Sequence, residues 1–238
     1  MCTVSWIHEA RGYQLLCNRD ELHTRKSAEP PREQVRQGVR VIAPRDGDYG
    51  GSWISVNEHG LSLSLLNRYQ EQPPRSTSQF TSRGSLLRSL SDCRSLAAVV
   101  ERVGMESLSN YQPFTLLALA PARPALIATW DGRDCALEAN GESRMPLSSS
   151  SFEADRVVRS RITHFKQLAV SPISTELLAQ FHRSHHPSPS AFSTCMHRDD
   201  AATVSFSRIR VAAQTIEFWY HPASPCQKVE TEYQSIQL

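Results

Sequence analysis

Short apolar runs separated by polar turns dominate the pattern along the chain and predict β-strands. Residues 61–65 alternate leucine and serine, which is typical of a strand with one buried face. This strand is expected to pair with residues 53–56, and the apolar runs at 114–120 and 125–130 predict two more strands. Residues 24–47 are polar and contain prolines and glycines, so they predict a long loop.

Helices and a final hairpin are expected in the second half of the chain. Ser150 and Glu153 form a capping-box pattern before apolar residues at helical spacing. Ser174 is a candidate N-cap for a second helix. Residues 203–211 and 215–220 then predict a C-terminal hairpin. The pattern by itself therefore indicates an α+β protein with an antiparallel sheet.

The first twenty residues predict a hairpin that brings reactive side chains together. Residues 3–7 form an imperfect strand alternation, residues 10–12 supply a turn, and residues 13–17 predict the return strand. An antiparallel return over this distance places residues 17–21 beside residue 2. We therefore expect Cys2, Arg19 and Asp20 to meet in space.

Cys2 follows the initiator methionine, and removal of Met1 would make it the N-terminal residue. The residue would then carry a thiol and an α-amine whose reference pKa is about 7.7–8.0, which is a nucleophile with its own base. Arg19 would favour the thiolate, and Asp20 would hold the amine. The alternative interpretation is an incidental cysteine followed by a charged turn at residues 18–21.

Motifs along the first 90 residues resemble one known family. The opening Met-Cys-Thr and the sequence Asn-Arg-Asp-Glu at residues 18–21 resemble the NRDE-motif family, also called the transport-and-Golgi-organisation-two family. Residues 50–57 resemble its Gly-Gly-Thr-Trp block, and residues 82–84 resemble its Ser-Arg-Gly helix start. The resemblance implies an N-terminal-nucleophile hydrolase fold, a four-layer αββα sandwich of antiparallel sheets.

A more distant resemblance concerns bile-salt hydrolases and penicillin V acylases. Residues 57–61, followed by Leu66 and Asn67, are similar to a segment of those enzymes, and the similarity implies that Asn67 helps to form an oxyanion hole. Their aspartate corresponds to Leu22, whereas this chain has its acids at positions 20 and 21. Residues 148–151 are serines where those enzymes use an asparagine. Both departures favour a weak hydrolase or a protein without hydrolase activity.

Four further residues are candidates for substrate binding: Asn18, Glu21, Trp53 and Arg198. Each has a plainer interpretation. Glu21 is equally well a solvated loop charge, and Trp53 is expected to pack mostly in the core. Arg198 would face the substrate, or it would pair with Asp199 or Asp200 at a strand end.

Length and composition agree with a single domain over residues 1–238. The net charge of +2 gives no electrostatic case for nucleic acid, so the expected partner is a small molecule. No apolar run is long enough to span a membrane, and the start of the chain lacks the pattern of a signal peptide. We expect a cytoplasmic protein with free cysteines. The oligomeric state is left open.

A histidine- and cysteine-rich stretch raises the question of a metal. Its members are His182, His185, His186, Cys195 and His197. Their spacing matches no standard zinc finger, and the prolines at 187 and 189 favour an exposed polar loop, so no metal site is predicted. No cofactor is expected either. Two functions remain: Cys2-dependent amide hydrolysis and, as the family resemblance implies, non-enzymatic binding or trafficking of haem or lipid, with haem a candidate ligand.

Overall fold

The computed structural model describes residues 2–69, 80–169 and 172–238, so Met1 and the greater part of the loop predicted at residues 70–81 lie outside the described residues. Within them the strands form two antiparallel sheets. The first sheet has, in spatial order, β10 (Leu147–Ser148), β1 (Cys2–Glu9), β2 (Gly12–Leu22), β11 (Ala201–Val211), β12 (Thr215–His221) and β13 (Glu232–Gln237).

The second sheet follows the chain order almost as a meander. Its strands are β3 (Glu29–Arg36), β4 (Val39–Arg45), β5 (Ile54–Asn57), β6 (Ser62–Asn67), β7 (Phe114–Leu119), β8 (Leu126–Trp130) and β9 (Cys135–Glu138). Each strand pairs with its neighbours in sequence. Sequential antiparallel pairing needs only short connections, which agrees with the turn signals between the apolar runs.

Two helices cover the outer face of each sheet. α1 (Arg83–Leu90) and α2 (Leu96–Met105) share a core cluster with the second sheet, and α3 (Ala154–Leu168) and α4 (Thr175–Arg183) share one with the first. A third cluster joins the two sheets face to face and includes Trp6, Val56 and Phe218. The architecture is therefore the expected four-layer αββα sandwich.

Strand β6 shows what this layering does to an alternating sequence. Leu63 and Leu65 pack against the helix layer, as the alternation predicts. Ser62 and Ser64 are also buried, because their face of the strand lies against the first sheet. The hydroxyl of Tyr13 donates to Ser62 Oγ across this interface at 2.7 Å. The prediction of one buried face was thus wrong, since both faces of the strand are covered.

Residues 24–47 contain a hairpin, so the prediction of a long loop was wrong. β3 and β4 pair around a turn at Gln37 and Gly38, which both have positive φ values of 48° and 77°. β4 buries Val41 and Ile42, whereas β3 is an edge strand whose side chains are largely in contact with solvent. The polar composition reflects that edge position, because only one of the two strands contributes to the core.

The predicted helix starts had different outcomes. Ser174 Oγ accepts a hydrogen bond from Leu177 N at 3.2 Å, so the predicted cap of α4 is confirmed. The capping box predicted before α3 was wrong. Glu153 occupies the N-cap in a left-handed conformation without a capping side chain, and Ser150 Oγ instead donates to Phe152 O at 2.7 Å. The C-terminal hairpin is confirmed as β11 and β12.

Candidate active site

Cys2 and Arg19 are direct cross-strand neighbours in the β1–β2 hairpin. Paired residues of two antiparallel strands project to the same side of a sheet. Both side chains are buried, and both line one cavity between the two sheets. The hairpin that the first twenty residues predict therefore brings the thiol and the guanidinium together.

The cavity has a volume of about 590 Å³ and is lined by residues of both sheets, of α1 and of the connections between them. The first sheet contributes Cys2, Arg19 and Glu21, the second sheet and the residues before β5 contribute Asn67 and Trp53, and α1 contributes Arg83. Five of the eight residues that the sequence predicts for the site line this cavity, and the other three, Asn18, Asp20 and Arg198, are not among its lining residues.

Two carboxylates and an aromatic ring hold Arg19. Its Nη2 donates to Asp46 Oδ2 at 2.6 Å and to Glu21 Oε2 at 3.3 Å. The guanidinium carbon lies 4.5 Å from the ring centroid of Trp53, within the range of a cation–π contact. Glu21 therefore supports Arg19, and much of the positive charge that faces the thiol is already neutralised.

Asp46 was not singled out by the sequence, and it lies in the predicted loop region. Burial opposes its ionisation, but hydrogen bonds from backbone N–H groups, such as that of Tyr49, and the charges of Arg19 and Arg25 together lower the pKa of Asp46. Asp46 is therefore ionised near neutral pH. It orients Arg19 and also weakens the electrostatic effect of Arg19 on its surroundings.

The thiol of Cys2 has a second cysteine beside it. A hydrogen bond with the Cys17 thiol lowers the pKa of Cys2 below its ordinary value, burial opposes this shift, and Arg19 adds a smaller lowering. The same hydrogen bond, reinforced by burial, raises the pKa of Cys17. Of the two thiols, Cys2 is therefore the one that ionises first, and a thiolate is the nucleophilic form.

Ser149, which directly follows β10, contacts the backbone nitrogen of Cys2. Cys2 N donates to Ser149 Oγ at 3.1 Å, and Ser149 N donates to Cys2 O at 2.9 Å. Ser149 belongs to the serine run that, by the resemblance to bile-salt hydrolases and penicillin V acylases, corresponds to an asparagine of those enzymes. Its hydroxyl contacts the atom that removal of Met1 would convert into an α-amine.

Asn67 ends β6 and reaches the same cavity from the second sheet. Its Nδ2 donates to the Tyr69 hydroxyl at 3.1 Å. An amide nitrogen carries two hydrogens, and within the described residues one of those of Asn67 has a partner. Asn67 therefore lines the cavity from the second sheet, and its role as an oxyanion donor stays a prediction.

Asp20 lies on the opposite face of β2 from Arg19, because successive side chains of a strand alternate. It is fully buried, and its carboxylate accepts hydrogen bonds from Arg161 Nη1 at 3.1 Å and Thr203 Oγ1 at 2.7 Å. Arg161 also donates to Thr3 Oγ1 at 2.8 Å. The position of Asp20 is therefore set by a buried ion pair with α3, and its role in holding an amine stays a prediction.

Asn18 lies on the same face as Asp20 and belongs to a buried polar network. Its Nδ2 donates to the carbonyl oxygens of His182 and Thr194, each at 2.9 Å. Its Oδ1 therefore accepts from His182 Nδ1 at 2.9 Å, and His182 Nε2 accepts from Ser5 Oγ at 2.8 Å. This arrangement ties β2 to α4, and the structure places Asn18 away from the cavity rather than among its lining residues.

The burial of His182 in this network predicts that the folded protein becomes less stable as the pH falls. Burial, with a smaller effect from Arg161, lowers the pKa of His182 from 6.5 to about 3. As the pH falls through this window, the unfolded chain binds a proton that the folded chain excludes, so the free energy of unfolding decreases by up to a few kcal/mol. Urea unfolding between pH 7 and pH 4 is expected to show this slope. His182→Gln should flatten it, and the exposed His59→Gln should not; equal slopes in all three proteins would contradict the assignment.

Arg198 pairs with a neighbouring acid, which is the second of the two interpretations given for it from the sequence. Its Nη2 donates to Asp200 Oδ2 at 2.7 Å, and its guanidinium carbon lies 5.1 Å from the Phe152 ring centroid. It does not line the cavity that holds Cys2. The structure thus separates Arg198 from the other candidate substrate-binding residues Glu21 and Trp53.

The two glycine motifs meet at the edge of this cavity. A Cβ on Gly51 would lie 2.7 Å from the backbone of Gly84, and one on Gly84 would lie 2.9 Å from Ser52 N. Ser52 N donates to Gly84 O at 3.1 Å. Only glycines allow this approach of α1 to the segment before β5. This contact places Arg83, the first residue of α1, at the cavity. The two glycine motifs could have indicated this contact, but the sequence analysis did not predict it.

Two antiparallel sheets packed face to face between two helix layers form the fold of the N-terminal-nucleophile hydrolases. The penicillin V acylase of Agrobacterium tumefaciens superposes with a TM-score of 0.59 at 10% identity over 100% of this chain and 86% of that one. The Caenorhabditis elegans orthologue of N-acylethanolamine-hydrolyzing acid amidase gives 0.55 at 12% identity, over 88% and 92% of the two chains. A conjugated bile acid hydrolase from Clostridium perfringens gives 0.52 at 12% identity, over 100% and 92%.

Sequence comparison identifies the family. The model of the Transport and Golgi organisation 2 family matches residues 1–208, so the chain belongs to that family. No curated protein matches the chain. Within the described residues, the helices are all too short or too polar to cross a membrane.

Proposed function

We propose that the protein is a slow, Cys2-dependent acyl-transfer enzyme that hydrolyses linear amide bonds of small molecules. The observation that supports this most is the position of the Cys2 thiol. It faces a cavity beside Arg19, its pKa is lowered, and Ser149 holds the adjacent nitrogen at 3.1 Å. A thiol with these neighbours has the properties of a nucleophile.

The proposed reaction requires the removal of Met1. The α-amine of Cys2 then accepts the thiol proton while sulfur forms a bond to the substrate carbonyl carbon. The carbonyl oxygen becomes an oxyanion, and Asn67 Nδ2 donates a hydrogen bond to it. The C–N bond breaks, the amine product leaves with the proton, and water hydrolyses the thioester to release the acid and restore the thiol.

Two features of the site support slow turnover. Ser149 stands in the serine run that replaces an asparagine donor, and its hydroxyl is engaged with the nitrogen and the carbonyl oxygen of Cys2, at 3.1 and 3.5 Å. Arg19 is paired with Asp46 and Glu21, so less of its charge is free to stabilise an anion. Loss of one oxyanion donor costs on the order of 10²–10³ in rate.

The cavity and the names of the structural neighbours support the proposed substrate class. The lining combines apolar groups, such as Trp53, Leu65 and Phe80, with arginines. An acyl chain would contact the apolar part, and a polar or anionic group would contact the arginines. Neighbours named as an acylase, an acid amidase and a bile acid hydrolase support N-acyl amides as the compounds to test. A cytoplasmic location remains part of the proposal.

A thiol-reactive acyl probe tests this proposal through intact mass. We expect mature protein without Met1 to take up one acyl group at Cys2, and we expect Cys2→Ala to lose this label. Cys135→Ala, which removes a half-buried thiol outside the cavity, should label like the unmodified sequence. Retained Met1, or preferential labelling of Cys195 or Cys226, would contradict the proposal.

The binding alternative is tested with the same proteins. A panel of N-acyl amides is offered to each, and haem is added separately. Turnover that disappears in Cys2→Ser supports the enzyme. Saturable haem binding that survives Cys2→Ala, with no turnover of any amide, would instead favour a ligand-handling protein.

A further inference from the structure

Two histidines and two cysteines that do not line the cavity of Cys2 converge at another place in the fold. The cluster consists of His185, Cys195, His197 and Cys226, and one ligand atom of each lies within 4.8 Å of those of the others. The first three residues lie between α4 and β11, and Cys226 lies between β12 and β13. The cluster therefore brings together two connections that are separate along the chain.

The spacing of the ligand atoms fits a tetrahedral metal. Zinc bonds of about 2.0–2.1 Å to nitrogen and about 2.3 Å to sulfur place ligand atoms of a tetrahedron roughly 3.3 Å (N to N) and 3.6 Å (N to S) apart. His185 Nε2 and His197 Nε2 are 3.2 Å apart. His197 Nε2 lies 3.5 Å from Cys195 Sγ and 3.5 Å from Cys226 Sγ.

We propose that these four residues form a structural Zn²⁺ site. Two thiolates balance the charge of a divalent cation, so the bound centre is neutral where Cys195 is buried. Thiolate and imidazole ligands favour zinc over Mg²⁺ or Ca²⁺, which prefer oxygen. Four protein ligands fill a tetrahedral ion completely, which is the arrangement of structural rather than catalytic zinc.

The zinc would anchor the connection between α4 and β11, which accepts hydrogen bonds from Asn18 on β2 and from Arg161 on α3. Thr194 O in this connection accepts from Asn18, and Ala191 O accepts from Arg161 Nη2 at 3.0 Å. Cys195 N donates to Ser184 O at 3.0 Å, which folds the connection back on itself. Zinc bound to His185 and Cys226 would tie this segment to the β12–β13 connection, and so stabilise the carbonyl groups that receive Asn18 and Arg161.

The sequence prediction of no metal site considered only the local spacing. His182 and His186, which it included, have other contacts: His182 bonds Ser5 and Asn18, and His186 stacks on His164 with ring centroids 4.3 Å apart. The fourth ligand, Cys226, is 29 residues from His197 and has no motif around it. A ligand set of this kind becomes visible only once the chain is folded.

Metal binding by the full chain tests the proposal directly. Reduced protein is stripped with a chelator, and Zn²⁺ or Co²⁺ is titrated while native mass and visible absorbance are recorded. We expect one metal ion per chain, tetrahedral Co²⁺ bands with thiolate charge transfer, and a higher unfolding temperature with Zn²⁺. Binding to the native state alone raises the apparent stability.

Variants distinguish this site from other thiols. Cys226→Ser removes an exposed ligand and is expected to leave the fold intact. It should abolish the Co²⁺ charge-transfer spectrum of two thiolates and weaken Zn²⁺ binding by more than the roughly 10–100-fold that outer-shell changes cause. Cys93→Ser, which alters a buried thiol elsewhere, should bind Zn²⁺ unchanged. Absence of stoichiometric metal in reduced protein, binding unaffected by Cys226→Ser, or a Cys195–Cys226 disulfide as the only change on titration would overturn the proposal.

Discussion

Replacement of Arg161 by methionine is expected to destabilise the folded protein by about 3–5 kcal/mol. Arg161 is the largest fully buried side chain, and it forms an ion pair with Asp20 in which both side chains are inaccessible to solvent. Methionine would remove the guanidinium, and with it the counter-charge and the hydrogen bond that Arg161 supplies to the buried carboxylate of Asp20. Removing one partner costs more than replacing both, because a charge that has lost its solvation then also loses a counter-charge.

Urea unfolding followed by tryptophan fluorescence measures this loss. Arg159→Met, on the exposed face of the same helix, is the matched control and should change the free energy of unfolding little. In the double variant Arg161→Met with Asp20→Asn, part of the loss should be recovered, since the buried negative charge is removed as well. A change below about 1 kcal/mol in the single variant would show that the ion pair contributes little to stability.

Replacement of Asn67 by alanine is expected to slow the acylation of Cys2 by about 10²–10³-fold. Asn67 is the amide donor that the second sheet brings to the cavity, and the oxyanion exists only after sulfur has attacked. The loss should therefore appear in the rate of the chemical step, with a smaller change in the concentration of probe needed for half-saturation.

The rate of acyl uptake, read by intact mass against time, measures this effect. Asn140→Ala removes an exposed asparagine away from the cavity and should leave the rate unchanged. An Asn67→Ala rate within a few-fold of the parent would remove Asn67 from the proposed mechanism. In that case, labelling that is lost in Cys2→Ala would still identify Cys2 as the nucleophile.

Local sequence determined the parts of the site that lie within one hairpin. The strand pattern and the Ala10–Gly12 turn specify the register in which Cys2 faces Arg19, since a short turn leaves few alternatives. The same holds for β5 and β6, whose pairing follows from the turn between them. The motif resemblance then led to the correct family and fold class, although composition and periodicity alone indicate only an α+β protein.

Residues distant in sequence were decided by tertiary structure. Asp46 pairs with Arg19 and follows the β3–β4 hairpin, which the polar composition of the segment did not predict. Ser149 reached Cys2 because β10 adds to the edge of the first sheet beside β1. Arg161 lies on a helix face whose apolar pattern gave no sign of a buried cation, since its partner Asp20 is supplied by another element.

The sequence by itself thus determined the β1–β2 hairpin, the nucleophile candidate and most of the later strands and helices, because these depend on neighbours along the chain. Tertiary structure decided which charges neutralise one another and which face of β2 each motif residue occupies in the assembled protein. It turned Asn18 and Asp20 toward the helices and Arg19 toward the cavity. The physical reason is that burial and charge pairing depend on what packs against a residue, and that information is distributed over the whole chain.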